Sequence, residues 1–262
     1  MKKNILSHLP GNFPWQVHWF DTIDSTNTQA KHIAREGAPH GTVLIAGHQT
    51  GGRGRMGRSF SSPVGMGLYL SVILRPGCAA SELMHLTCAA GIAACEAVEN
   101  TCGIRPGIKW INDLVLNSRK LGGILTEMSV DPKTGLVDFA VIGIGINCLQ
   151  SSEDFPPELQ EIAISLKAAG STPDMAQLAA KLILALYDMS LHLQDQERIM
   201  TAYRQDCITL GRQVVILRAD AKQYGTALDV DKDGALVVQL TDGSVCAVNS
   251  GEVSVRGLYG YV

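Results

Sequence analysis

Ile108-Lys109-Trp110-Ile111-Asn112-Asp113-Leu114-Val115-Leu116-Asn117-Ser118-Arg119-Lys120-Leu121-Gly122-Gly123-Ile124-Leu125-Thr126-Glu127-Met128 carries the pattern that decides the fold. Ile108 to Leu116 and Leu121 to Met128 are rich in β-forming residues, with the turn pair Asn117-Ser118 between them and a break at Asn112-Asp113. A third run, Val137 to Ile146, follows a turn over Asp131 to Gly135. Together with the helical segments on either side, these strands predict an α+β fold: a mixed sheet with helices packed on one side.

Upstream, Leu83, Leu86, Ala90, Ala93, Ala94 and Ala97 recur at helical spacing within Ser81 to Glu99, and Gly103 stops the helix. Val43 to Ala46 and Leu68 to Leu74 read as strands on either side of a glycine-rich loop, and Val17 to Phe20 as a strand ending at Asp21. Thr26 with Gln29 forms a capping box for a helix carrying Ala30, Ile33 and Ala34, which Gly37 ends. Downstream, Thr172-Pro173 reads as an N-cap with proline at the first helical position, and Leu182, Ala185, Leu186, Met189 and Leu193 make one apolar face. A second helical stretch runs to about Cys207.

At Gly211 the texture changes. Val214 to Leu217, Tyr224 to Val230, Ala235 to Leu240, Val245 to Val248 and Glu252 to Val255 are short strands, with turns at Asp233-Gly234 and Asp242-Gly243. The expected organisation is a larger domain over residues 1–210 and a small antiparallel barrel over 211–262.

With 262 residues and 46% hydrophobic content, the chain can bury a full core. No apolar run reaches the roughly 18 residues of a membrane span, and Met1 to Pro14 lacks the apolar stretch of a signal peptide, so the expected location is the cytoplasm. The seven cysteines are odd in number and lack zinc-knuckle spacing, which predicts reduced thiols; Cys88, Cys95 and Cys102 fall on one helix face as small hydrophobes. A net charge of -3 and 5% aromatic content argue against nucleic-acid binding, so any anion must be held by a local cluster.

The densest such cluster is Gly52-Arg53-Gly54-Arg55-Met56-Gly57-Arg58. Its glycines match the spacing of dinucleotide-binding loops, but Ser61-Ser62-Pro63 and a strand follow where that motif needs a helix N-terminus, and Arg58 stands where a Walker loop needs lysine. What remains is a turn whose amides and guanidinium groups suit phosphate or carboxylate oxygens; a solvated basic loop is the plainer alternative. Asp24-Ser25-Thr26-Asn27 fits a helix cap as well as a ligand site. Lys109-Trp110-Ile111-Asn112-Asp113 sets a cation and a carboxylate four residues apart, which also suits a surface ion pair. Gly143-Ile144-Gly145-Ile146-Asn147 alternates glycine inside a strand, a weakening that makes sense where some group approaches that face closely or where the strand bulges.

Taken in order, Asp24-Ser25-Thr26-Asn27, Gln49 with Gly52 to Arg58, Lys109-Trp110-x-Asn112-Asp113, Arg119-Lys120-Leu121-x-Gly123-Ile124-Leu125 and Gly143-x-Gly145-x-Asn147 resemble the biotin protein ligases, from about Val17 to Arg256. The C-terminal part is similar to that family's SH3-like barrel, with Gly251-Glu252 and Arg256 in its closing stretch, and the larger part to a class II aminoacyl-tRNA-synthetase-like catalytic domain. Phe60 stands where many members carry tryptophan against adenine, and Ile111 where proline is usual. About 16 residues precede the catalytic part, which implies the short form without a DNA-binding helix-turn-helix.

The resemblance implies two steps: biotin and ATP give biotinyl-AMP, and a lysine of a biotin carboxyl carrier protein domain then takes the biotin. It assigns Ser25, Thr26, Asn27, Gln49, Arg53, Gly54, Arg55 and Lys120 to biotin. Arg55, Arg58, Phe60, Lys109, Asn112, Asp113 and Asn147 fall to the nucleotide. Lys120, Arg55, Lys109 and Asp113 are the implied catalytic groups, with Asp113 either near magnesium or helping to deprotonate the acceptor lysine. ATP and biotin are the implied substrates, magnesium the implied ion, and a homodimer an open state. A lipoate-protein ligase is the nearest alternative, and a nucleic-acid-binding protein is the alternative from another class.

Overall fold

The computed structural model describes residues 2–218, 221–249 and 254–257. Seven strands form the larger sheet: β1 (Gln16–Phe20), β2 (Thr42–Ala46), β3 (Gly67–Leu74), β4 (Gly107–Lys109), β5 (Asp113–Leu116), β6 (Arg119–Val130) and β7 (Val137–Asn147). Their spatial order is β1-β2-β3-β7-β6-β5-β4; β1 and β2 run parallel and every other neighbour pair is antiparallel, so the sheet is mixed as expected. Five helices accompany it: α1 (Lys2–Ser7), α2 (Thr26–Arg35), α3 (Leu86–Cys102), α4 (Met175–Leu191) and α5 (Gln196–Asp206).

Side-chain alternation along the strands divides the interior in two. Leu68, Leu70, Val72 and Leu74 of β3 and Ile142, Ile144 and Ile146 of β7 point to the face covered by α3 and α4, where the main core lies. Alanine, glycine and cysteine dominate α3 and let it settle closely on the sheet; a Cβ on Gly91 would stand 3.0 Å from Ile108 Cδ1. The intervening residues, Ile73, Phe139 and Val141, face the other way and bury Ala30 and Ala34 of α2 together with Leu44. At roughly 1.5–3 kcal/mol for each large side chain, that small cluster suffices to hold α2 on its side of the sheet. Thus α3 and α4 share one face, while α2 alone crosses the opposite one and leaves part of it open.

Two helix starts differ from the sequence reading. Ser25, not Thr26, caps α2, with the Thr28 N–H donating to its Oγ at 3.4 Å, because Gln49 takes the Thr26 N–H. Asp174, not Thr172, caps α4: its carboxylate accepts from the Ala176 and Gln177 amides, and a negative charge suits the positive end of the helix dipole. Where the sequence predicts one helix over Ser81 to Glu99, Ala80–Leu83 is a short 3₁₀ turn and the α-helix starts at Leu86.

Beyond α5 comes a five-stranded antiparallel sheet, β8 (Gln213–Arg218), β9 (Ala221–Val230), β10 (Leu236–Leu240), β11 (Val245–Val248) and β12 (Ser254–Gly257), in the order β11-β10-β9-β8-β12. Arg256 lies in β12 opposite Val215, and Gly251-Glu252 lie outside the described residues. This sheet is tied to the larger one at several points. Trp110 Nε1 donates to Gly234 O at 2.9 Å, and Arg204 of α5 donates to Asp229 and to Val230 O. All seven cysteines are free, and among the described residues no helix is long and apolar enough to cross a membrane.

Candidate active site

The sheet face that α2 leaves open holds a cleft of about 890 Å³. Its floor is built by register. Ser71, Gly143 and Leu125 stand opposite one another across β3, β7 and β6, and Tyr69, Gly145 and Gly123 form the next row. The alternating glycines have separate reasons: a Cβ on Gly143 would overlap the Asn27 amide, and one on Gly145 would come within 2.6 Å of the Phe60 ring. Side chains from α2 and from the arginine loop therefore descend onto β7 at places only glycine permits.

At one end, the first turn of α2 presents Ser25, Thr26 and Asn27, all buried. Gln49 Oε1 accepts from the Thr26 amide (2.8 Å) and lies 3.1 Å from Thr26 Oγ1, while Gln49 Nε2 donates to Ser62 Oγ (2.9 Å). Ser71 Oγ lies 2.8 Å from Thr26 Oγ1 and 2.6 Å from Asn27 Oδ1. The result is a rigid polar lining with alternating donors and acceptors.

The arginine-glycine loop is a hairpin. Arg53 and Ser59 form a bridge, Gly54 N–H donates to Arg58 O at 2.7 Å, and Met56, with φ +54°, turns the tip. No helix follows, as the residues after it required. Arg55 reaches from the loop to Asn112, with Nη1 donating to Oδ1 at 2.8 Å, so loop and Lys-Trp-x-Asn-Asp segment close on each other. Burial, partly offset by the Asp113 carboxylate, lowers the Arg55 pKa from its ordinary value, yet a guanidinium stays charged at any physiological pH.

Lys109 and Asp113 face each other as the register pair that closes the β4–β5 turn. Asp113 Oδ1 accepts from Lys120 Nζ at 2.6 Å and from Asn112 Nδ2 at 3.3 Å. The Lys120 backbone is gripped from outside the sheet: its N–H donates to Ile162 O and its carbonyl accepts from the Ile164 N–H. Tyr203 Oη donates to Ile111 O from α5, and Thr209 Oγ1 accepts the Trp110 N–H. The Trp110–Ile111 peptide is cis.

Every residue that the sequence assigned to the two ligands lines this one cleft except Asn147. The Asn147 side chain is buried behind it, with Nδ2 donating to Ile164 O and Oδ1 accepting from Gln150; it fastens the segment that grips Lys120. Three contributors escaped the sequence reading. Ile162 belongs to a loop without a motif. Ser71 is the one serine in a strand whose other side chains are aliphatic or aromatic, and that irregularity was the available signal. Glu127 binds both Lys31 and Asn27 from β6. Burial acts to raise the Glu127 pKa, but hydrogen bonds from Lys31 and Asn27 outweigh it and hold the carboxyl below its ordinary range.

The cleft has five cations, Arg53, Arg55, Arg58, Lys109 and Lys120, against one carboxylate, Asp113, in a chain whose net charge is -3. It can draw two anionic groups together and hold charge that develops between them. Among the described residues no group of three or more His, Cys, Asp or Glu could hold a metal.

Comparison with known proteins agrees with this geometry. Residues 19–147 match the model of the biotin/lipoate A/B protein ligase family, and residues 209–256 that of the biotin protein ligase C terminal domain. The chain is 36% identical over 228 residues to the bifunctional ligase/repressor BirA of Bacillus spizizenii, an alignment covering 85% of this chain and 69% of that protein. It is 32% identical to the biotin–acetyl-CoA-carboxylase ligase of Mycobacterium tuberculosis, covering 87% of this chain and 85% of the other. The biotin protein ligase of Aquifex aeolicus, solved in complex with biotin and ATP, superimposes with a TM-score of 0.78 at 27% identity, covering 94% of this chain and all of that one.

Proposed function

The chain belongs to the biotin protein ligases, and on that premise we propose that it activates biotin as biotinyl-AMP and passes the biotin to one lysine of a carrier domain in a biotin-dependent carboxylase. The observation that carries the reading is the cleft itself, where five cations stand beside a rigid polar lining and face one carboxylate. In the first step a biotin carboxylate oxygen attacks the α-phosphorus of ATP, a P–O bond to the β-phosphate breaks, and pyrophosphate leaves. In the second, the acceptor amine attacks the acyl carbon, AMP departs with the bonding pair, and the nitrogen loses a proton.

Two anions must meet in the first step, and their repulsion has to be cancelled before chemistry begins. Arg53, Arg55 and Lys120 stand where biotin's carboxylate would lie, with Arg58, Lys109 and Asn112 toward the nucleotide. Phe60, lying over Gly145, offers a ring to the adenine. Ser25, Thr26, Asn27 and Gln49 take the ureido ring: Gln49 retains one amide hydrogen for its carbonyl, and the Asn27 oxygen can accept from its N–H. Asp113 is the group at hand to receive the amine's proton, and Lys120 releases that carboxylate when it turns to the phosphate. Magnesium enters as the ATP complex, a substrate held chiefly by its own phosphates. Asn147 acts as a positioning residue behind Lys120.

ATP–pyrophosphate exchange that requires both biotin and magnesium is the expected behaviour, and mass spectrometry should show one added biotin on a carrier domain. Faster exchange with lipoate than with biotin would overturn the substrate assignment.

A further inference from the structure

Glu127 lies behind the cleft wall, yet it touches both α2 and the arginine-glycine loop. Its carboxylate accepts from Asn27 Nδ2 at 3.1 Å, binds Lys31 Nζ at 2.6 Å, and stands 3.8 Å from Arg53 Nη1 of the loop. The Asn27 contact has a direction. Asn27 Nδ2 has two hydrogens, and both are spoken for, one by Leu125 O and one by Glu127 Oε2. A carbonyl and an ionised carboxylate can only accept, so the amide nitrogen must face β6 and the amide oxygen must face the other way. Turning the amide over would lose two hydrogen bonds and set oxygen against oxygen twice.

We propose that Glu127 is a specificity-determining positioning residue: by holding the Asn27 nitrogen it turns the amide oxygen, which accepts from Ser71 Oγ on one lone pair, so that the other can meet the ligand, and it commits this end of the cleft to a ring that donates N–H. The inference rests on the biotin reading, whose ureido N–H groups are the donors concerned. Hydrogen bonds from Lys31 and Asn27 and the charge of Arg53 together favour the ionised acid, and an ionised acid can only accept.

Glu127→Gln preserves shape and weakens direction, because glutamine offers Asn27 either a donor or an acceptor and leaves Leu125 O alone to demand the amide nitrogen. Lys31→Met removes the ion pair and leaves a carboxylate facing Asn27. Exchange activity should be measured for parent and variants with biotin and with its cyclic carbamate analogue, in which oxygen replaces one ureido N–H. The parent should prefer biotin by about tenfold or more, the scale of one hydrogen bond in a buried site. In Glu127→Gln the biotin KM should rise by about tenfold, kcat at saturation should hold, and the preference over the carbamate should shrink several-fold; Lys31→Met should keep the parent's preference. The ratio of the two ligands in one preparation is independent of how much protein is folded.

A parent without biotin-dependent exchange overturns the biotin reading and this inference with it. An active parent whose Glu127→Gln variant keeps the same biotin KM and the same preference overturns the inference alone. Equal loss of preference in Glu127→Gln and Lys31→Met also overturns it, by assigning the effect to the ion pair.

Discussion

Replacing Lys120 with alanine separates folding from chemistry. Its side chain makes one ion pair, to Asp113, in which the partners are 30% and 19% exposed, and Asp113 keeps the Asn112 amide after the lysine is gone. The Lys120 backbone bonds to Ile162 and Ile164 do not involve the side chain. Loss of stability should therefore stay near 1 kcal/mol or below. The rate is another matter. A unit charge ~4 Å from an oxyanion, at an effective dielectric constant of ~20, is worth ~4 kcal/mol, and removing one such contact from a water-poor site costs roughly 10²-fold or more in rate. Lys120→Arg should restore part of it, since a planar fork does not replace a compact ammonium in a space of fixed size. Pyrophosphate exchange at saturating biotin and a thermal melt measure the two quantities side by side. A normal rate in Lys120→Ala would refute the electrostatic assignment, and a collapsed melt would refute the claim that the backbone holds this strand end unaided.

Arg55→Gly should cut the bond to Asn112 that closes the loop over the cleft, so adenylate escapes and labels nearby lysines; labelling confined to the acceptor lysine, seen by peptide mapping, would refute that role. Gly143→Ala should lower stability by about 1–3 kcal/mol because the new methyl meets the buried Asn27 amide, whereas Gly145→Ala should displace the half-buried Phe60 and chiefly raise the KM for ATP; a larger melting loss in Gly145→Ala would contradict this order. His85 is fully buried, and burial, opposed by its hydrogen bond to Leu193 O, holds its pKa below the ordinary 6.5. As pH falls through that value the unfolded chain takes up the proton first, so stability should decline below about pH 6.5; His85→Gln should flatten the slope of melting temperature between pH 7.5 and 5.5, and an unchanged slope would place the effect elsewhere.

Much of this site is written locally. The alternation of Gly143 and Gly145 announces that something comes close to that strand face, and the missing helix after Arg58 excludes the nucleotide loops with similar spacing. What stayed hidden depends on partners far away in the chain. Ser25 and Thr26 are equally good caps until Gln49, 23 residues on from Thr26, claims the Thr26 amide. Glu127 reads as an ordinary outward-facing acid in a strand, since its contact with Asn27 spans 100 residues. Asn147 misleads for the opposite reason: its place in a motif suggests a ligand contact, while its amide is occupied by Ile164 and Gln150.

The bond from Trp110 to Gly234 joins residues 124 apart. On the ribosome, at roughly 5–20 residues per second, the Lys109 to Asp113 segment is translated roughly ten seconds before the turn that braces it. During that interval the seven strands of the larger sheet can pair, and Tyr203 and Thr209 can brace the segment, but the indole beside Lys109 still lacks the Gly234 carbonyl. Completion of the site thus waits on the smaller sheet, and a ribosome stalled short of Gly234 would hold a formed larger sheet with an unfinished cleft.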